Sequence, residues 1–181
     1  QSRLAGSFDP STLPGGGSRG GVAFEGSEYG LVMAGYPVIP WQTASLLGRD
    51  LFTETDFFRE EVYAILHATT PAATQVTGTT GTGFTFFPFS DDEAWNDRYL
   101  VNHFTCDWMM TVANRWPTRN IGRHARQWLA TTGSSGACTR HVQAVDVPNT
   151  PLPFDDLPLD YFASGPGYLF GRSGWAQPAT H

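Results

Sequence analysis

A small mixed α+β domain is the expectation for this chain, with about three helices at its centre, a few short strands and long irregular segments at both ends. Two stretches carry apolar residues at helical spacing and a third follows a proline break. Short aromatic or alternating runs bounded by Gly and Pro read as strands. At 181 residues, 40% hydrophobic, 14% aromatic and 15% charged, the chain has the length and composition of one folded domain, because a disordered chain is poor in aromatics and richer in charge.

Residues 1–21 hold Pro10, Pro14 and six glycines with few large apolar groups, and read as a Gly/Pro-rich arm preceding a globular domain at 22–150. Within that arm, Gly15 to Gly21 meets two motif spacings at once. Gly15, Gly17 and Gly20 match a dinucleotide-binding turn, and Gly16, Ser18 and Gly20 match a hydrolase nucleophile elbow. Both devices need a strand before and a helix after, and neither flank has that character, so the run is read as a tether.

Val22 to Trp41 mixes apolar residues with Gly35, Pro37 and Pro40, and its pieces YGLVMAG and YPVIPW read as short extended segments at an edge. The first helix is ETDFFREEVYAILHA, where Phe58, Val62, Ile65 and Leu66 share one face and Thr53 or Thr55 offers a cap. The Thr/Gly-rich stretch 69–83 reads as a loop, and FTFFPF after it as a strand ending at Pro88. Ser90 and Glu93 form a capping box for a second helix reaching about Asn114. Trp95, Tyr99, Cys106, Met109 and Ala113 make one apolar stripe there, and Val101, Phe104, Trp108 and Val112 a second beside it, so this helix should be central and largely buried. Pro117 interrupts, and Thr118 or Asn120 can start a third helix with Ile121, Ala125, Trp128 and Leu129 inward and Gly133 as its stop. TRHVQAVDV alternates as a strand. The segment 151–181, dense in proline and aromatics, reads as an extended wrapping segment with no regular element of its own.

The net charge of −6 excludes general affinity for nucleic acid or anionic membranes, which require broad positive potential. No run approaches the ~20 apolar residues of a membrane span. Beginning at Gln1 is consistent with a processed chain, exported or organellar. The two cysteines, Cys106 and Cys138, can form only one intrachain disulfide.

Candidate chemistry is sparse. His103 and Asp107 are i, i+4 neighbours, able to orient a base, with Cys106 or Ser18 as a nucleophile. Two such groups do not make a metal site, and no zinc spacing occurs, so neither a metal nor a cofactor is nominated. The acidic groups Asp91, Asp92, Glu93 and Asp155, Asp156, Asp160 read as a helix cap and a solvated turn. Arg115, Arg119, Arg123 and Arg126 fall on one helical side and could grip an acidic partner surface. These readings converge on a non-catalytic structural or accessory subunit of a hetero- or homo-oligomeric assembly, docking through the Arg row and through Phe154, Tyr161, Phe162, Tyr168, Phe170 and Trp175. The competing readings are a small hydrolase built on His103, Asp107 and Cys106 or Ser18, and a module using the Arg row for an anionic ligand.

Overall fold

The computed structural model describes residues 17–23, 25–75, 81–86, 89, 103–133 and 147–175, which form a small α+β fold. Helices α1 (Gly26–Gly35) and α2 (Val38–Leu46) lead through a single 3-10 turn (Leu51–Thr53) to α3 (Phe57–Ala68). Strands β1 (Thr74–Gln75) and β2 (Thr82–Gly83) follow, then α4 (His103–Arg115) and α5 (Asn120–Thr132). The hairpin β3 (Asp160–Ala163) and β4 (Tyr168–Gly171) closes the order. Both ladders are antiparallel pairs and do not join into one sheet.

The expected extended pieces YGLVMAG and YPVIPW are helical instead. Pro37 is the N-cap of α2, with φ −68°, and Pro40 lies in its first turn. Proline weakens a helix by removing an N–H that would bond backwards, and in the first turn that N–H has no acceptor to lose. The first bond is then made by Trp41, whose N–H donates to the Pro37 carbonyl at 3.0 Å. The Thr/Gly-rich loop contains the β1–β2 ladder, pairing Thr74 with Gly83 and Gln75 with Thr82. Of the aromatic run after it, Phe86 bridges Thr69 in extended pairing. The capping box at Ser90–Glu93 and, apart from Val147, the expected strand at 139–147 lie outside the described residues.

Helices α3, α4 and α5 build the main core. On α3, Phe58, Val62, Ile65 and Leu66 are all buried, and on α4 Cys106, Trp108, Met109, Val112 and Ala113 are almost fully enclosed, Phe104 is half-buried, and Trp95, Tyr99 and Val101 of the expected stripes lie outside the described residues. Helix α4 packs most extensively along α5. Their close approach requires Gly122, because a Cβ there would fall 2.1 Å from the Trp116 carbonyl oxygen. Helix α5 ends as its sequence requires: Gly133 adopts φ 67° and its N–H returns to the Leu129 carbonyl. Edge-to-face contacts tie Trp41, Phe52, Phe57 and Phe58 together, with ring centroids 5.4 Å apart for Phe52–Phe58 and for Phe57–Phe58. Each such buried ring contributes roughly 1.5–3 kcal/mol through area removed from water.

Two segments differ from the expected arm and wrap. Residues 17–21 form a largely buried turn on α3 and β3. Gly20 N–H donates to Glu60 Oε2 at 2.7 Å, and the Tyr161 hydroxyl bonds the Gly20 and Glu60 carbonyls at 3.0 and 3.1 Å. A side chain at Gly21 would place its Cβ 2.0 Å from the Glu61 nitrogen, which makes glycine obligatory at this approach. The C-terminal segment does contain a regular element, the β3–β4 hairpin, with Phe162 opposite Leu169 and Ala163 opposite Tyr168. Pro151, Pro153 and Pro158 precede it and Pro166 sits in its turn, so no proline interrupts a strand. The hairpin packs on α3, making a second small cluster of Val22, Ala64, Ala68, Ala163 and Phe170.

Candidate functional site

Between the two clusters lies Glu61, on the turn of α3 that faces the hairpin side. Phe57, Glu61, Ala64 and Ala68 recur at i, i+4, i+7 and i+11, so the carboxyl shares a stripe with small apolar groups. The residue is 3% exposed, and its Oε2 atom is buried without a hydrogen-bond partner among the described residues. Burial pushes its carboxyl well above the ordinary carboxylate range, because an anion in this setting would lose its water with nothing in return. Glu61 lines a pocket of about 40 Å³, partly open to solvent, whose other walls include Val22, Ala23, Ala64, Ala68, Phe89 and Phe170. One rim is held by Ser27, whose N–H donates to the Phe89 carbonyl at 3.1 Å while its Oγ accepts from the Phe89 N–H at 3.3 Å.

A second hollow, of about 200 Å³, lies where the C-terminal segment crosses the ends of α3 and α5, lined by Phe84, Trp128, Phe154, Asp155, Arg172 and Trp175 among others. Most of its polar groups are engaged in structural contacts. Arg172 donates to the Leu66 and Thr69 carbonyls at 3.2 and 3.3 Å, supplying donors to the C-terminal end of α3, and its guanidinium lies 3.8 Å from the Trp175 ring centroid. Burial lowers its pKa to about 10. His67 places Nδ1 2.8 Å from the Tyr63 carbonyl and Nε2 3.0 Å from the Pro158 carbonyl, stacking on Tyr161 and meeting Trp175 edge-on. Burial lowers the pKa of this imidazole and that of His124. The Trp128 indole donates to Thr69 Oγ1 at 2.9 Å, and that hydroxyl donates to the Ile65 carbonyl.

The residues nominated from sequence are distributed as follows. Cys106 is fully buried and disulfide-bonded, so its sulfur is no thiolate nucleophile; Cys138 lies outside the described residues. Asp107 is buried on α4, and the side chain of His103 is outside the described set. Ser18 sits in the buried turn against α3 and β3, whereas α4 packs chiefly on α1 and α5. The Arg row is largely turned to the chain's own use. Arg115 pairs with Asp50 and covers the Phe52 ring, and Arg123 Nε donates to the Thr150 carbonyl at 3.0 Å. Arg126 reaches Asn149 Oδ1, Asn114 Oδ1 and the Val147 carbonyl, which leaves Arg119 as the exposed member of the row. Among the aromatics, Phe154 and Trp175 pack on the main core, and Tyr161, Tyr168 and Phe170 on the hairpin cluster. Phe162 faces outward at 59% exposure.

Glu61 is the residue that reading the sequence missed. An acid flanked by Phe57, Ala64 and Ala68 on one helical stripe was the available signal, and it is weak because Glu60 beside it looks the same. No known protein-family model, curated protein or solved structure matches this chain. Among the described residues no three His, Cys, Asp or Glu side chains gather to hold a metal ion, and no helix is long and apolar enough to cross a membrane.

Proposed function

We propose that this chain is a non-catalytic protein-docking module whose anchor is the outer face of the β3–β4 hairpin. The observation that carries this reading is the cross-strand pair Phe162 and Leu169, at 59% and 68% exposure, on a hairpin whose alternate residues Ala163 and Phe170 are buried. Alternation puts Asp160, Phe162, Leu169 and Gly171 on one side, so two large apolar groups stand together beside a carboxylate. Paired apolar side chains on a rigid scaffold are the usual form of an interface anchor. Leu46 and Leu47, at 88% and 82%, supply a second exposed apolar pair at the end of α2.

The partner that fits is a protein surface with an apolar centre bordered by basic side chains. Asp155, Asp156 and Asp160 are all exposed in and before the hairpin, and the whole chain carries −6. This replaces the acidic partner suggested by the Arg row, since three of those four arginines serve internal contacts.

A photo-crosslinking residue at position 162, compared with one at exposed position 118, tests the reading in the cells that make the protein. A discrete adduct should form at 162 and not at 118. The partner so identified should lose at least about tenfold in affinity for Phe162→Ser with Leu169→Ser, by analogy with interface anchors, and should bind more weakly as salt is added. Equal crosslinking at both positions, or unchanged affinity of the double variant at unchanged melting temperature, would count against the hairpin as the anchor.

A further inference from the structure

An apolar pocket whose one carboxyl oxygen has no partner among the described residues is an unusual thing for a helix to carry, since a buried polar atom without a partner is destabilising. The neighbouring Glu60 shows the ordinary arrangement, its Oε2 accepting from the Gly20 amide. Glu61 has methyl groups and aromatic edges around it instead, and the space before it opens to solvent. We propose that the Glu61 pocket is a binding site for a small neutral molecule that carries one hydroxyl or carbonyl oxygen on a short apolar body. The volume of about 40 Å³ has room for about three to four water-sized groups, which sets the size of the part enclosed.

The chemistry of the walls selects that class. A carboxylic acid offers one O–H donor and remaining acceptor capacity, which an alcohol or carbonyl compound can meet with a single oxygen. An anion would face the carboxyl and find no cationic side chain among the lining residues. An ammonium ion would bring three donors to one carboxyl and bury a charge whose hydration the apolar walls cannot replace. The apolar body of a neutral ligand, in contrast, gains from contact with Val22, Ala64, Ile65 and Phe170. This site is independent of the hairpin face: its walls include Phe170, on the inner side, and neither Phe162 nor Leu169.

The test uses the full chain with labelled methyl groups, following Ala64, Ile65 and Ala68 by NMR as 1-propanol is added, with xenon as a purely apolar control. 1-Propanol should move these three signals saturably in the native chain. Glu61→Gln, which keeps a donor and an acceptor, should bind within about threefold of native. Glu61→Met, of similar volume, should bind about tenfold more weakly, the worth of one hydrogen bond, while xenon shifts the same methyls in all three proteins. The proposal is overturned if 1-propanol leaves those methyls unmoved in the native chain, as a pocket holding only water would require. It is equally overturned if Glu61→Met binds 1-propanol as well as the native protein does, which would reduce the site to an apolar void.

Discussion

Glu61 shows how one side chain can set a pH dependence for the whole protein. Its folded-state carboxyl titrates well above the reference value of 4.5, so over the window between that value and its folded pKa the folded chain keeps a proton that the unfolded chain has released. Stability attributable to Glu61 is therefore greatest below about pH 4.5 and falls as pH rises through that window. Glu61→Gln has no proton to lose. In urea titrations its unfolding midpoint should pull ahead of the native chain as pH is raised from 4 toward 7, and converge with it at the acid end. A constant gap across that range would show that the native carboxyl titrates normally. The one-dimensional pattern separates Glu61 from Glu60 only weakly. The difference is made by Gly21, which has no side chain, so that the turn 17–21 can lie on the α3 backbone at Glu61.

At the scale of elements, the helices that carry strong apolar periodicity were legible. The stripe Phe58, Val62, Ile65 and Leu66, the buried Cys106, Trp108, Met109, Val112 and Ala113 of α4, and the Gly133 stop of α5 all follow from spacing and from the left-handed conformation that glycine tolerates. Helices α1 and α2 were not, because prolines that would end a helix from within are harmless in its first turn, and the pattern does not say where that turn begins. The clasp between α4 and α5 was equally hidden. Asn149 Nδ2 donates to the Ala113 and Gly122 carbonyls at 3.4 and 3.3 Å, while its Oδ1 accepts from Arg126 at 2.7 Å. Asn149→Ala removes all three bonds and should lower unfolding free energy by about 1–3 kcal/mol. Chemical denaturation measures this directly. A loss of a few tenths would mean that water replaces the amide without cost.

For the whole molecule, the role of the C-terminal segment is the point on which composition and architecture part. A Pro-rich run full of aromatics is compatible with a surface kept for a partner or with a segment folded onto its own chain. Here Phe154, Leu157 and Trp175 pack on the main core, and Ala163 and Phe170 complete the second cluster. Deleting 151–181 would uncover α3 on the hairpin side and remove the Arg172 donors at its C-terminal end. The expected result is a truncated chain that has lost cooperative unfolding and aggregates in size-exclusion chromatography with light scattering. A truncation that stays monomeric and melts cooperatively would show that the segment is an appendage.

Amphipathic spacing and glycine stops are local quantities, and they specified an α+β domain and its three core helices directly from the amino acids. Which aromatics are buried, which arginines are already engaged and which of two adjacent glutamates loses its water depend on contacts between residues as far apart in the chain as Gly20 and Tyr161. Those contacts exist only after the turn at 17–21 and the C-terminal hairpin have packed on α3. Burial and hydrogen bonding are properties of that packing, so the exposed Phe162–Leu169 face of the hairpin and the Glu61 pocket were set by tertiary structure.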